Sequence, residues 1–340
     1  MVDHVSHAPE IRVLNRRVLY KVILVALHLA AAASATALDL QGHRGTRGLA
    51  PENTLAAFGK AAAIGVTTLE TDLALTSDGV LILSHEPRLT SALTRRPDGQ
   101  WLSEDGATFW SLRLQDISGY DVGRLNPAHP YAAPWTEQVP ADGQRIPTLT
   151  QLFDLARDAR TPGGQPVRFN IETKITPSSH SQTPEPSRFA KAVVDAIRAE
   201  RMSDRVTVQS FDWRTLLELK KSAPDLPTSC LTIESSSMNT VAEDASGASP
   251  WHAGLKRADF GGSLARLAFA AGCSSWAPFW RNVTAESVAE AHALGLKLIV
   301  WTVNDAAEMQ RLAALGVDGI ITDYPDRARR ALSARDVTID

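Results

Sequence analysis

The chain has 340 residues, enough for one large domain or two ordinary ones. Hydrophobic residues make up 44% and charged residues 21%, which excludes a disordered chain, and Gly 21 with Pro 19 and no period excludes collagen. Lys+Arg 35 against Asp+Glu 38 leaves no basic excess for non-specific nucleic-acid binding, and two cysteines cannot build a disulfide scaffold or a Cys-rich zinc site.

The first segment reads as an address. Arg16, Arg17 and Lys21 precede the apolar stretch Val22 to Ala33, and Ala35-Thr36-Ala37 follows. Positive segment, short apolar run and A-x-A site predict a signal peptide over residues 1–37, and so an exported protein, periplasmic or secreted. The apolar run is shorter than the roughly 20 residues of a spanning helix, so an N-terminal anchor is the weaker alternative, and no stable membrane insertion is expected after cleavage. Asn15-Arg16-Arg17 also resembles, loosely, a twin-arginine signal. Cys230 and Cys273 are expected as two buried free thiols, although export would permit a bridge.

Beyond residue 37, short apolar runs alternate with longer helical patterns. Strands are predicted at Leu38–Gly42, Thr68–Leu75, Val80–Ser84, Val167–Ile171, Val206–Gln209, Ser229–Ile233, Ser274–Ala277, Lys297–Val303 and Gly319–Thr322. Helices are predicted at Thr54–Ile64, Leu149–Arg157, Arg188–Glu200, Arg214–Lys221, Ala285–Leu294, Ala306–Leu315 and Asp326–Leu332. Asp212, Thr284 and Asp305 stand at N-cap positions, and Gly295 and Gly316 just past helix ends. Such alternation predicts an α/β fold, a (β/α)8 TIM barrel over about residues 38–335. An open doubly wound sheet is the alternative, but no glycine-rich phosphate fingerprint follows the first strand. Pro87 to Ile146 reads as one insertion of about 60 residues, and Ser235 to Gly262 as a surface loop.

The chemistry gathers at the C-terminal ends of the strands. The first strand ends in His43 and Arg44. Glu70 and Asp72 alternate on one strand and therefore share a face. His85 follows the next apolar run. Glu172 and Lys174 repeat the i, i+2 spacing, with Asn170 on the same face. Three carboxylates with no Cys or metal-spaced His form an oxygen-only set, which suits a hard cation such as Mg²⁺ or Ca²⁺. Arg44 and Lys174 would then be available to a phosphate.

Gly42-His43-Arg44-Gly45, followed by Ala50-Pro51-Glu52-Asn53-Thr54-Leu55-Ala56-Ala57-Phe58, resembles the opening signature of the glycerophosphodiester phosphodiesterase family. Glu70-Thr71-Asp72, Ser84-His85, Asn170 to Lys174, Gln209 to Asp212, Val300 to Asn304 and Thr322 to Pro325 resemble its later blocks in order. The resemblance implies a barrel, a divalent cation and hydrolysis of glycerophosphodiesters to glycerol 3-phosphate and an alcohol. It places His43 and His85 at the catalytic positions and Glu70, Asp72 and Glu172 at the metal positions. Lys174, Arg44 and Trp301 match substrate-binding positions. Glu86 departs from the family's usual Asp after the second His. The implied partner is a small-molecule glycerophosphodiester, with no nucleic acid.

One His would deprotonate the attacking hydroxyl and the other would protonate the leaving oxygen. Glu52 and Asn53 are expected to brace the His43 loop, and Trp276, Phe279 and Trp280 to form an apolar wall or core. Trp101, Trp110 and Trp135 leave an aromatic cage for a quaternary ammonium open. The alternatives are a phospholipase C- or D-like enzyme acting on lipid, which would need an apolar rim not identifiable in the sequence, and a non-catalytic exported phosphodiester-binding protein, which need not keep both histidines.

Overall fold

A computed structural model describes Met1, residues 37–179 and residues 181–339. The predicted signal segment therefore lies almost wholly outside the described residues. Eight parallel strands close a barrel: β1 (Asp39–Gly42), β2 (Thr68–Leu75), β4 (Arg168–Thr173), β5 (Val206–Ser210), β6 (Thr228–Thr232), β7 (Ser275–Pro278), β8 (Lys297–Val300) and β9 (Gly319–Thr322). Closure is made where β1 pairs with both β2 and β9. Every residue of β2 is buried, as expected of a strand covered by helices outside and side chains inside. Leu231, Ala277, Ile299 and Ile321 form an apolar cluster of their own, one from each of four successive strands.

The outer helices are α1 (Leu55–Ile64), the short α2 (Leu114–Ile117), α3 (Leu149–Ala156), α4 (Pro186–Ala199), α5 (Trp213–Ser222), α6 (Leu264–Ala270), α7 (Ala285–Ala293), α8 (Ala306–Leu315) and α9 (Pro325–Ser333). The predicted caps hold: Asp212, Thr284 and Asp305 each accept a hydrogen bond from a backbone N–H of the first turn. Gly316 ends α8 at φ 88°, a left-handed conformation that glycine adopts without cost.

Four expectations need correction. The run at Val80–Ser84 is not a barrel strand. As β3 (Leu81–Leu83) it folds back antiparallel on the end of β2, pairing Leu73 with Leu83 and Leu75 with Leu81. The Thr76–Gly79 turn allows this reversal, since Gly79 sits at φ 84°. The stretch from Ser235 to Gly262 is more than a loop, because it carries 3₁₀ turns at Pro250–His252 and Arg257–Phe260 and buries His252. Helix α6 after it was not predicted, because Leu264–Ala270 is too short and too apolar to show a period. Cys230 and Cys273 are joined in a disulfide, with Cα atoms 6.0 Å apart. Adjacent pairing of β6 and β7 brings these positions together across 43 residues.

Between β3 and α3 the chain makes an excursion held by its own small core, in which Leu89, Leu102, Phe109 and Ile117 pack on Ala74 and Ile82. No helix among the described residues is long and apolar enough to cross a membrane.

Candidate active site

The strand register assembles the acidic group. Glu70 and Asp72 lie two residues apart on β2, and β4 pairs in parallel so that Asp72 stands directly beside Glu172. All three carboxylates are buried, and one oxygen from each lies within 4.8 Å of the others. The turn after β1 supplies part of their support. Arg44 has φ 50° and Gly45 φ 84°, and a Cβ at Gly45 would sit 2.7 Å from the Ala57 carbonyl carbon. This tight turn aims the Arg44 backbone N–H at Glu70 Oε2, at 2.9 Å, while Gln209 Nε2 donates to Glu70 Oε1 at 2.9 Å. Asn53 Nδ2 donates to Asp72 Oδ2 at 3.0 Å, and Lys174 Nζ donates to Glu172 Oε1 at 2.8 Å. Asp72 Oδ1 is buried and accepts no hydrogen bond among the described residues.

Burial, with Asp72 and Glu172 nearby, holds the Glu70 carboxyl well above the usual carboxylate range. Burial and Asp72 push Glu172 up to about 7 against the pull of Lys174. Burial also opposes ionisation of Asp72, but Arg44 above all, then His85 and Lys174, hold it well below the usual range. Lys174, and Arg44 shared with Glu52, do not balance three buried carboxylates. The orphaned Asp72 oxygen and the all-oxygen donor set therefore fit a divalent cation held by Glu70, Asp72 and Glu172.

Each histidine is anchored through Nδ1. His43 Nδ1 donates to Asp323 Oδ1 at 2.6 Å, and Asp323 follows β9 with its side chain fully buried. Asp323 also accepts from Arg47 Nε at 2.8 Å and NH2 at 3.1 Å, and from Asn304 Nδ2 at 2.6 Å. His85 Nδ1 donates to Glu86 Oε1 at 2.8 Å, so the Glu in place of the family's Asp does touch the site. Because β3 runs back down β2, with Ser84 N–H bonded to Asp72 O, His85 is returned to the barrel mouth rather than carried away from it. Burial and Arg47 lower the His43 pKa, opposed by Asp323. Partial burial, then Arg44 and Lys174, bring His85 down to about 4. In a neutral imidazole whose Nδ1–H is donated, Nε2 carries the free lone pair.

A cavity of about 200 Å³ at the C-terminal mouth is lined by His43, Arg44, Glu70, His85, Glu172, Lys174 and Trp301, with Asp72 packed beside it against Arg44 and Lys174. All eight positions singled out in the sequence therefore converge. Arg44 differs from expectation in its company. Its NH1 donates to Glu52 Oε1 at 2.7 Å and its Nε lies 3.2 Å from Asp72, so its charge is directed at protein carboxylates. Glu52 and Asn53 do brace this turn, Asn53 N–H also bonding Arg44 O at 3.0 Å. Trp301 donates from Nε1 to Ala277 O and meets the Phe211 ring edge-on, centroids 5.1 Å apart. Trp276 is core, with Nε1 bonded to Thr232, and Phe279 leans on Trp301. Trp101, Trp110 and Trp135 lie under Arg95, Arg188 and Arg47 and do not line the cavity, so they form no cage there.

Three contributors were not assigned by sequence reasoning. Asp323 and Gln209 sit at strand ends inside matched blocks, which was their only signal. Arg47 carried none, since its role rests on an ion pair spanning 276 residues.

Residues 43–327 match the model of the glycerophosphoryl diester phosphodiesterase family. A glycerophosphodiester phosphodiesterase of Caldanaerobacter subterraneus subsp. tengcongensis is 29% identical over 288 residues, 84% of this chain and 93% of that protein. One from Bacillus subtilis is 28% identical over 285 residues, 84% of this chain and 83% of that protein. Among solved structures, a candidate glycerophosphoryl diester phosphodiesterase of Silicibacter pomeroyi DSS-3 superposes with a TM-score of 0.77 at 34% identity, covering 90% of this chain and 96% of that one. An Oleispira antarctica phosphodiesterase, solved with its product sn-glycerol 3-phosphate, shares the fold at 20% identity and a TM-score of 0.62, covering 87% of this chain and 97% of that one. With the barrel, the acidic trio and the paired histidines in one mouth, the chain belongs to the glycerophosphoryl diester phosphodiesterase family.

Proposed function

We propose that this protein hydrolyses glycerophosphodiesters to glycerol 3-phosphate and an alcohol, with His43 and His85 as the acid–base pair. The observation that carries the reading is that both imidazoles line one cavity beside the acidic trio, each with Nδ1 held by a carboxylate. That anchoring fixes the ring and presents Nε2 to a substrate. His85, on the wall the active-site cavity shares with its larger neighbour and with Glu86 behind its Nδ1, stands where the departing alkoxide takes its proton. His43, with its Nδ1–H held by Asp323, has the Nε2 lone pair to take a proton from the attacking hydroxyl, and Asp323 stabilises the imidazolium that forms. The oxygen of water joins phosphorus, the P–O bond to the alcohol breaks, and the leaving oxygen carries the proton away. Lys174 and Arg47 offer positive charge to the phosphate at the cavity wall. Glu70, Asp72 and Glu172 would hold Mg²⁺ or Ca²⁺, which when bound supplies Lewis-acid polarisation of the phosphoryl oxygens.

We further propose that the chain is exported after cleavage following Ala37. The charged and apolar pattern of the first segment and the Cys230–Cys273 disulfide support an oxidising compartment.

The test of the activity is a panel of glycerophosphocholine, glycerophosphoethanolamine and glycerophosphoglycerol, with and without chelator. Metal-dependent release of glycerol 3-phosphate is expected. Absence of turnover on every member, with the cation present, would overturn the reading.

A further inference from the structure

A second and larger cavity, about 390 Å³, opens beside the first and shares His85, Glu172, Lys174, Phe211 and Trp301 with it. Its far wall is of another kind. Ile175, Phe211, Ile233, Met238, Trp251 and Trp301 line it, contributed by β4's exit, β5's exit, β6's exit, the 235–262 excursion and β8's exit. The three rings form one block: Phe211 meets Trp251 edge-on at 6.4 Å and Trp301 at 5.1 Å. Hydroxyls of Thr176, Ser179, Thr183 and Ser237 line the remainder.

The charges facing this space decide what it accepts. Glu86 is bonded to His85, and Glu172 to Lys174. Lys174 itself lies 5.9 Å from the Phe211 ring centroid, already occupying that ring's face toward a cation. Both carboxylates lie on the His85 side of the cavity, across from Ile233, Met238 and Trp251. A quaternary ammonium at the Phe211 face would meet the Lys174 charge, whereas an uncharged apolar group meets a surface that gains by leaving water.

Resting on the proposed glycerophosphodiester hydrolysis, we infer that this cavity is the subsite for the alcohol arm and that it selects an apolar one: the preferred substrates are glycerophosphodiesters esterified to an alkyl alcohol. The phosphate and glycerol occupy the polar cavity with His43, and the alkyl chain passes His85 into the Phe211–Trp251–Met238 wall. The reaction is unchanged: water adds at phosphorus and the alkyl alcohol leaves protonated. Trp251 and Met238 are specificity-determining residues. They lie on the excursion after β6, far in sequence from every matched motif.

The experiment is a chain-length series, glycerophosphomethanol, glycerophospho-n-butanol and glycerophospho-n-hexanol, assayed with the purified protein at one Mg²⁺ concentration beside glycerophosphoglycerol. Burying a methylene is worth about 0.8 kcal/mol in full, about fourfold in kcat/KM, and partial burial should still give about tenfold or more from methyl to hexyl. Within Trp251→Ala the hexyl-to-methyl ratio should fall toward one. Met238→Glu, at a half-exposed position, should lower that ratio and raise the relative rate on glycerophosphocholine. The ratio is internal to each protein, so general damage to activity does not move it. Turnover of glycerophosphoglycerol with a flat chain-length profile in the wild type overturns this inference and leaves the proposed function standing. A steep profile that neither substitution changes also overturns it. No turnover of any of the four overturns the proposed function itself.

Discussion

Replacing Asp323 by Asn tests whether the catalytic reading of His43 depends on the carboxylate behind it. Asp323 is fully buried and holds four hydrogen bonds, one from His43, two from Arg47 and one from Asn304. Asparagine keeps the shape but turns one acceptor oxygen into a donor and removes the charge. Arg47 loses half of a two-pronged grip, and the amide can donate to His43 Nδ1, which forces the ring into the Nε2–H form with no lone pair on the working nitrogen. Removing one partner from a buried pair costs about 3–5 kcal/mol, and the surviving oxygen should bring this to about 2–3 kcal/mol of stability. The rate should fall by about 10²–10⁴-fold, mostly in kcat. The sign of the pH effect is fixed as well. Asp323 raises the His43 pKa, so losing it moves the limb of the pH–rate profile that belongs to His43 to lower pH. Cation affinity, measured by calorimetry, should be unchanged, because Asp323 touches none of the three acidic residues. A rate within about threefold of wild type, or a loss that excess cation restores, would refute the reasoning.

Chelation should abolish activity, and calorimetric titration of the stripped protein with Mg²⁺ should release protons at pH 7, because burial raises the Glu70 carboxyl well above the carboxylate range and Glu172 to about 7. Affinity should therefore rise with pH through about 7, and binding with no proton release would remove these carboxylates from the site. His43→Ala and His85→Ala should each lose about 10²–10⁴-fold or more in rate, with the double variant little worse than the worse single, as groups acting as a unit require; a near-normal His85→Ala enzyme would exclude that residue. Arg44→Ala should cost about 3–5 kcal/mol in denaturant unfolding by leaving Glu52 and Asp72 buried without their cation, and a loss of substrate affinity at full stability would show that Arg44 binds phosphate instead. Protein recovered from its host should begin near Leu38, which N-terminal sequencing checks, and a start at Met1 would refute cleavage.

Local rules carried much of the way. Alternation placed Glu70 with Asp72, and Glu172 with Lys174, on shared faces, because side chains of a strand repeat every two residues. Strand–helix alternation with caps at Asp212, Thr284 and Asp305 was enough for a parallel sheet covered by helices, since parallel strands need covered faces and crossover connections, while closure rests on β1 pairing with both β2 and β9. Tertiary structure decided what depends on distant partners. Asp72 lies beside Glu172 because of the β2–β4 register, which no residue in either strand announces. His85 reaches the mouth because β3 reverses on β2, where the apolar run alone read as one more barrel strand. Cys230 meets Cys273 because β6 and β7 are neighbours. Asp323 and Arg47 became part of the site only when barrel closure brought the last strand against the first. The sequence thus determined which residue types stand at strand ends, a local property of the chain. Which of them share one buried charge network was decided by pairing across the closed sheet, because a buried charge is stable only beside its partner and that partner is up to 280 residues away.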